Sequence, residues 1–294
     1  MPEESHPAVL RFDDVTVSFD GVEVLSALSF AASESESRVI LGAAGSGKTV
    51  LLKTAMGLVK PDSGKVYVFG KDISAMKERE LFTIRSRIGM LFQESALFDS
   101  MTIEENVAYP LLNQKSIQCP AKDVLPRVEQ ALEFVELGGT LDKFPSELSG
   151  GMRRRAAIAR AVVTQPPLLL YDSPTAGLDP ITAHTIMSLL IKERDVSHAT
   201  TLVVTHRYQD GNLIANFRYN SEHGNLEPAR DGVGAGGVGA GGVGAGAGIN
   251  GGTRRRSSTT FMVLKEGRLV FEGDQDQLEA SKDPYVGKFV KQRE

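Results

Sequence analysis

A glycine-rich segment near the start of the chain has the residue types and spacing needed to bind nucleotide phosphates. The segment GAAGSGKT at residues 42–49 matches the pattern G-x-x-x-x-G-K-[ST]. Its glycines let the backbone curl so that several N–H groups point at phosphate oxygens, and the following helix adds its positive end. Lys48 would neutralise the β- and γ-phosphates, and the Thr49 hydroxyl would be a ligand of Mg²⁺. The predicted phosphate-contacting residues of this segment are Gly42, Ala43, Ala44, Gly45, Ser46, Gly47, Lys48, Thr49 and Val50.

A second segment, LLLYDSPTAGLDP at residues 168–180, places Asp172 directly after an apolar run. A carboxylate at the end of a buried strand is the natural partner of Mg²⁺ beside such a phosphate cradle, either directly or through water. The sequence therefore predicts a bound ATP with Mg²⁺, held by Thr49 and Asp172.

The elements that must position these residues follow from hydrophobic periodicity. Residues 8–41 alternate in the manner of strands. The continuous apolar runs PPLLLYD and ATTLVVTH predict buried parallel strands, and AHTIMSLLIKERD between them predicts a crossover helix. Between Glu78 and Val163 the pattern is mostly helical. This order predicts an α/β fold with a doubly wound sheet.

Composition limits the classes of function. The chain has 294 residues, enough for a sizeable core, and a net charge of -4 that does not favour nucleic acid as a partner. Its one cysteine, Cys119, cannot form an internal disulfide, which fits a reducing compartment. The N-terminal segment lacks the apolar stretch of a signal peptide, and no run approaches the roughly 18 apolar residues of a membrane span. Any membrane role is expected to come through a partner.

A glycine, valine and alanine repeat at residues 231–253 interrupts the regular pattern. Such a segment cannot bury enough apolar surface to offset the entropy of its glycines, so we expect a flexible insert at about residues 221–257. Arg254, Arg255 and Arg256 near its end are either a solvated charge run or a contact for an anionic partner surface.

A third motif, LSGGM at residues 148–152, opens a helical pattern. Together with the cradle, the Asp172 strand and the THR at residues 205–207, it makes the chain resemble an ABC transporter ATP-binding subunit over nearly its whole length except the insert. The resemblance implies a P-loop NTPase with a RecA-like core, an antiparallel β subdomain and a helical subdomain at about residues 78–161. It places the ATPase domain at residues 8–280 and a C-terminal tail at 281–294.

The resemblance also implies roles for residues outside the cradle. Phe19 resembles the aromatic residue that stacks on adenine, and Gln93 resembles the glutamine that touches magnesium and senses the membrane partner. His206 resembles the histidine that contacts the γ-phosphate, and Asp179 the aspartate at the dimer interface. The residues that resemble the signature for the other subunit's γ-phosphate are Ser149, Gly150, Gly151 and Met152.

Because the signature serves a neighbour's nucleotide, the implied working unit is a head-to-tail dimer with a second ATPase subunit, homomeric or heteromeric. The implied partners are integral membrane permease subunits, with an Mce-type substrate-binding protein possible in addition. The segments at residues 91–111, 147–161, 177–183 and 283–290 resemble the ATPases of Mla/Mce-type lipid transport systems. This branch implies transport of phospholipids or other hydrophobic compounds, with the ATPase in the cytoplasm on the inner face of a bacterial membrane. An amino-acid importer ATPase is the alternative.

Ser173 departs from the family pattern, which has a catalytic glutamate at this position. A serine hydroxyl can orient a water molecule, but it cannot take its proton near neutral pH. Three interpretations stay open: slow hydrolysis aided by His206, a heteromeric pair whose other chain carries the glutamate, or a clamp gated by nucleotide binding alone.

Overall fold

The fold is described from a computed structural model, which covers residues 8–114, 116–229 and 259–291. The strands are β1 (Ala8–Phe19), β2 (Val22–Ser33), β3 (Ser37–Leu41), β4 (Ser63–Val68), β5 (Lys71–Asp72), β6 (Ile88–Leu91), β7 (Leu168–Asp172), β8 (Thr200–Thr205), β9 (Phe217–Asn220), β10 (Asn225–Pro228), β11 (Thr259–Lys265) and β12 (Arg268–Gly273). The helices are α1 (Lys48–Ala55), α2 (Glu78–Arg85), α3 (Ile103–Asn113), α4 (Ala121–Phe134), α5 (Gly150–Val162), α6 (Pro180–Ser197), α7 (Tyr208–Asn216), α8 (Gln275–Glu279) and α9 (Pro284–Lys291).

A six-stranded sheet in the order β12-β11-β3-β8-β7-β6 carries the predicted site. Strands β11, β3, β8, β7 and β6 are parallel, and β12 returns antiparallel to β11. Leu41 pairs with Thr205, and Asp172 pairs with Val204, so β3, β7 and β8 end at the same edge. Ligands bind beyond the carboxyl ends of parallel strands, where these elements bring the cradle, Asp172 and His206. The predicted α/β P-loop fold is confirmed.

Each face of this sheet packs against a different layer, because alternate side chains of a strand point to opposite faces. Leu169, Tyr171 and Val203 face a core shared with α3, α4, α5 and α6. Leu170 and Val204 face a second core shared with α1 and the antiparallel sheet β2-β1-β4-β5. Both faces are therefore buried, as the continuous apolar runs of β7 and β8 predicted.

The predicted helical subdomain at residues 78–161 needs a correction at its start. The short apolar strand β6 lies within this range and pairs with β7 in the main sheet. Within this range, the helices that pack on one another are α3, α4 and α5. The helical layer therefore begins after β6, because four consecutive buried residues satisfy their backbone hydrogen bonds as an edge strand of the sheet.

Two further boundaries differ from expectation. Residues 217–228, the last eight of which were assigned to the flexible insert, form the β9–β10 hairpin, and β9 lies against α6. The glycine repeat and the three arginines lie outside the described residues. Residues 284–291, predicted as part of a tail, form α9, whose Val286 and Phe289 are buried in the core of the helical face. Within the described ranges, none of the helices is both long and apolar enough to span a bilayer.

Burial of an acid in α6 yields a stability prediction. Glu193 is 6% exposed, and desolvation by burial raises the pKa of its carboxyl, although a hydrogen bond from Ser197 opposes the shift. A raised folded-state pKa means that ionised Glu193 destabilises the fold, so its protonated form stabilises at low pH and that stability is lost as pH rises. We expect Glu193→Gln to raise Tm at pH 7 by a few degrees, about 2–4 °C for each kcal/mol in a domain of this size. The gain should shrink towards pH 4.

Thermal unfolding of both proteins between pH 4 and pH 8 measures this difference. Glu129→Gln, at an exposed position of α4, is the matched control and should leave Tm almost unchanged. A lower Tm for Glu193→Gln at pH 7 would show that the buried charge is compensated.

Candidate functional site

The loop between β3 and α1 forms a curled cradle whose backbone depends on glycine. Gly45 and Gly47 have φ values of +77° and +98°, a region that other residues rarely adopt. A Cβ atom on Gly47 would lie 2.6 Å from the carbonyl oxygen of Val24 in β2. The antiparallel sheet therefore presses against the cradle at a position where no side chain fits.

Lys48 closes the cradle from inside. Its Nζ donates to the carbonyl oxygens of Gly42 and Ala43, both at 2.8 Å, and contacts the Ser46 hydroxyl at 3.3 Å. Burial lowers the pKa of the Lys48 ammonium, and the negative charge of Asp172 opposes that shift. The cation is thus held by weak neutral acceptors, which phosphate oxygens could replace with stronger, charge-assisted bonds.

Thr49 and Asp172 meet, although 123 positions separate them in the sequence. The Thr49 hydroxyl donates to Asp172 Oδ2 over 2.7 Å, and Asp172 is only 2% exposed at the end of β7. A hydroxyl oxygen beside a carboxylate is a donor set that suits Mg²⁺ when phosphate oxygens and water complete the shell. These two residues fit the predicted metal.

Ser173 has a strained backbone, and its hydroxyl already donates a hydrogen bond. Its φ is 47°, in the left-handed region, and its N–H donates to the Val204 carbonyl over 2.8 Å. Its Oγ donates to Asp172 Oδ1 over 3.1 Å. The side chain therefore supports the aspartate, and it offers no group that could take a proton from water.

His206 directly follows the last residue of β8, the strand that pairs with the Asp172 strand β7. Its side chain is exposed. The loop around it is fixed by Thr205, whose hydroxyl accepts from the Arg207 N–H at 3.0 Å and donates to Asp210 at 2.7 Å. Burial raises the pKa of the Asp210 carboxyl, while hydrogen bonds from Thr205 and Thr175 and the charges of Arg207 and His206 oppose the shift.

Gln93 is exposed just beyond β6. Hydrogen bonds from α5, the helix that begins with the signature, hold the loop that carries it. Arg154 of α5 donates to the Phe92 carbonyl at 3.1 Å, and Arg160 donates to the carbonyls of Ser95 and Ala96 at 2.9 and 2.7 Å. Desolvation lowers the pKa of both guanidinium groups, and for Arg154 the charges of Glu94 and Asp172 oppose that effect. Gln93 is thus anchored to the helical layer on both sides.

The signature residues form a separate helix start. Ser149 is the N-cap of α5, and its Oγ accepts from the Met152 N–H at 3.3 Å. A Cβ on Gly151 would lie 2.6 Å from Thr182 Cγ2 in the first turn of α6, whereas one on Gly150 would meet only an Arg153 nitrogen at 4.0 Å. The backbone of Gly150 is therefore open to an approaching ligand.

Asp179 caps the neighbouring helix α6, where its Oδ1 accepts from the N–H groups of Ile181 and Thr182 at 3.1 and 3.0 Å. These hydrogen bonds, with Thr182 contributing most, lower the pKa of the Asp179 carboxyl. Ile181 beside it is 81% exposed. The starts of α5 and α6 thus lie together on one exposed face, in contact through Gly151.

The structure brings some of the predicted residues together and leaves others apart. Lys48, Thr49, Asp172 and Ser173 form one cluster with the cradle. Phe19 is 47% exposed at the end of β1 and pairs with Val22, two residues before the Val24 carbonyl that touches the cradle. Among the described hydrogen bonds, none joins Gln93, His206, Asp179 or the signature to that cluster, so their predicted roles in nucleotide binding stay predictions.

Sequence reasoning missed two buried charged residues that organise these loops. Arg154 donates to the Ala176 carbonyl at 3.4 Å as well as to Phe92, and Asp210 accepts from Thr175 and Thr205. A polar residue on the inward face of a helix was the available signal for Arg154. For Asp210, the hint was an acid in the first turn of a helix that starts directly after the predicted His206 loop.

Comparisons with known proteins agree with this geometry. The family model described as ABC transporter matches residues 25–176. A probable ribonucleotide transport ATP-binding protein of Mycobacterium tuberculosis is 38% identical over 198 residues, which are 67% of this chain and 54% of the relative. The chain thus spans about half the length of that relative.

The intermembrane phospholipid transport system ATP-binding protein of Escherichia coli is 38% identical over 204 residues, covering 69% of this chain and 75% of the relative. Among solved structures, a dimeric ATP-binding cassette in a post-hydrolysis state, bound to ADP and Pi, superposes with a TM-score of 0.70. It shares 26% identity and covers 90% of this chain and 98% of its own.

The close approach of β2 to Gly47 predicts a loss of ATP binding in Gly47→Ala. The added Cβ must displace the Val24 carbonyl, and the alanine must also adopt a left-handed φ, so the cradle should open. The affinity for ATP should then fall by about 100-fold or more, because several charge-assisted phosphate contacts are lost. Gly70→Ala is the matched control, because φ is +75° there and nothing lies within 4 Å. Titration with a fluorescent ATP analogue measures both. Equal affinities for the two variants would contradict the role given to the Val24 contact.

Proposed function

The chain belongs to the ABC transporter family, and from this premise we propose that it is the ATP-binding, energy-coupling subunit of a transporter for phospholipids or other hydrophobic compounds. The observation that carries the proposal is the joined cradle, in which Lys48 lies inside the loop and Thr49 contacts Asp172 at 2.7 Å. The phospholipid substrate class is supported by the name of the Escherichia coli relative, which matches over 75% of its length.

The proposed working unit is a head-to-tail dimer that encloses two ATP molecules. The exposed starts of α5 and α6 support this arrangement, because a helix N-terminus with an open Gly150 backbone is a ready anion site. Since none of the described hydrogen bonds joins the signature of a chain to its own cradle, the proposal has a second chain supply the signature. That second chain is either a copy of this one or a chain that carries a glutamate at the position of Ser173.

The proposed membrane partner is a pair of permease subunits, with the ATPase on the cytoplasmic side and an Mce-type substrate-binding protein as a further component. An apolar surface beside Gln93 supports a docking site. Phe98 is 40% exposed and contacts Tyr109 in a tilted ring arrangement, with 4.8 Å between ring centroids. Leu112, on the same helix as Tyr109, is 64% exposed. Arg160 holds the loop between Gln93 and Phe98 through its hydrogen bonds to Ser95 and Ala96. A partner bound at this apolar surface would therefore affect the position of Gln93.

The proposed reaction is Mg²⁺-dependent ATP hydrolysis that is slow because Ser173 is not a base. The chain's own residues bind and orient the phosphates through the cradle and Lys48, and His206 lies at the neighbouring strand end. Mg²⁺, when bound, would neutralise the phosphate charge. Binding and dimer closure do not require position 173, so they should be intact. A switch gated by binding alone is the second candidate, and the bond from Ser173 to Asp172 favours it.

Ser173→Glu tests whether the missing base limits the rate. A positioned carboxylate should raise single-turnover hydrolysis by about 100-fold or more, the usual value of a general base. Ser173→Gln is the matched control, because it has the same size but cannot accept a proton, and it should leave the rate low. Single-turnover assays with enzyme in excess over labelled ATP measure all three proteins. Equal rates for Glu and Gln at this position would show that proton transfer is not the bottleneck.

Gly150→Ala tests the head-to-tail dimer. The new methyl group has room within the subunit but would occupy the space where a partner's phosphate must approach, so ATP-dependent dimerisation should weaken by at least about tenfold. Gly138→Ala, at an exposed position where a Cβ meets one atom at 4.0 Å, is the matched control. Light scattering after gel filtration in Mg-ATP reports the dimer, and nucleotide titration of the monomer should give wild-type affinity. Unchanged dimerisation of Gly150→Ala would exclude this arrangement.

A further inference from the structure

We propose that Asp210 is a positioning residue for ATP hydrolysis, because it joins the loop that carries Ser173 to the loop that carries His206. The proposal rests on the proposed function and deepens it. Asp210 is 1% exposed, so it does not touch nucleotide; it would act through the two loops that flank the attacking water.

The join is made by a single carboxylate oxygen. Asp210 Oδ2 accepts from the Thr175 hydroxyl at 2.8 Å and from the Thr205 hydroxyl at 2.7 Å. Both threonines are 1% exposed, so neither hydroxyl can turn to bulk water as a substitute. A carboxylate oxygen has the lone pairs to accept both bonds, and an aliphatic side chain here would leave two buried hydroxyls unsatisfied.

The Thr175 bond fixes the turn after Asp172. Ser173 lies in the left-handed region, and the turn is closed by the Ala176 N–H, which donates to the Ser173 carbonyl at 3.0 Å. Arg154 holds the Ala176 carbonyl from the other side at 3.4 Å. With Thr175 anchored to Asp210, this strained turn is restrained by α5 on one side and α7 on the other.

The Thr205 bond fixes the second loop. The Thr205 hydroxyl also accepts from the Arg207 N–H at 3.0 Å, so its two hydrogen bonds bracket His206 in the sequence. Arg207 Nε lies 3.9 Å from Asp210 Oδ1, which adds a weak attraction on the same carboxylate. The backbone at His206 is therefore set by the same oxygen that sets the Ser173 turn.

This join matters more here than in an ATPase with a base at position 173. Without a proton acceptor there, the rate depends on how well the water and the phosphates are held, and an error of about 1 Å in such positions can cost about 100-fold. The rate should therefore respond to loss of the Asp210 bonds, while ATP affinity, which the cradle sets, should not.

The experiment measures single-turnover hydrolysis and ATP affinity for Thr175→Val, Asp210→Ala and Asp210→Asn. We expect the first two to lower the rate about 10- to 100-fold with ATP affinity changed by less than about threefold. Asp210→Asn keeps one oxygen that can accept both hydroxyls, so it should retain most of the rate. Combining Thr175→Val with Asp210→Ala should add little to Asp210→Ala alone, because that variant already lacks the acceptor of the Thr175 bond.

Thr140→Val is the matched control. Thr140 is buried in the helical layer and donates to the Leu137 carbonyl at 2.8 Å, so its loss should cost stability without lowering the rate. If Asp210→Ala does not fold, Thr175→Val decides alone. Wild-type rates in folded Thr175→Val and Asp210→Ala, or an equal rate loss in Thr140→Val, would overturn the proposal.

A second readout separates this proposal from the proposed function. If the unaltered protein hydrolyses no ATP with enzyme in excess, the hydrolytic part of the proposed function fails. ATP-dependent dimerisation then tests the join, since the turn fixed by Asp210 leads directly to Asp179. Weaker dimerisation in Thr175→Val and Asp210→Ala, but not in Thr140→Val, would support a positioning role, and unchanged dimerisation in all three would exclude it.

Discussion

The contact between Thr49 and Asp172 is the interaction on which the rest of the site depends. It joins the first turn of α1 to the end of β7 across the sheet edge, at 2.7 Å. The contact requires β3 and β7 to end at the same level on either side of β8, which the parallel register provides. Because that register is fixed by two buried faces, a slip of one residue would turn the apolar side chains of β7 towards the wrong layer. The core thus sets the geometry of the phosphate site.

The same sheet edge explains why buried polar side chains hold the loops that follow its strands. The loops that follow β6, β7 and β8 pass close to one another, and their backbone groups need hydrogen-bond partners where water is limited. Arg154 satisfies carbonyl groups in two of these loops, and Asp210 joins two of them through threonine hydroxyls. Arg154 and Asp210 each belong to a helix that packs on the sheet. Movement of α5 relative to the core would therefore shift both the loop that carries Gln93 and the turn that carries Ser173.

The sequence was sufficient for the fold class and the cradle because both follow from local patterns. Continuous apolar runs identified β7 and β8, and the glycine spacing identified the loop before α1. The helical boundary was misplaced because β6 has only four residues, too few for periodicity to separate strand from helix. The β9–β10 hairpin and α9 were missed since their packing partners are distant in the chain. Asp210 was missed for the same reason: its role appears only when Thr175 is brought beside it.

Under the proposed function, Ser173 would separate nucleotide binding from rapid hydrolysis. Lys48 lies inside the described cradle, and Asp172 accepts hydrogen bonds from both Thr49 and Ser173. Where the family pattern has a proton acceptor, this chain has a hydrogen-bond donor to that aspartate, so Ser173 would support the proposed metal-binding residue without supplying a base. Under the proposed function, such a site would favour long-lived closed states over rapid turnover. For a hydrophobic cargo that crosses slowly, a long-lived ATP-bound dimer would be compatible with transport, and the rate would then depend on how firmly the two loops beside the phosphates are held.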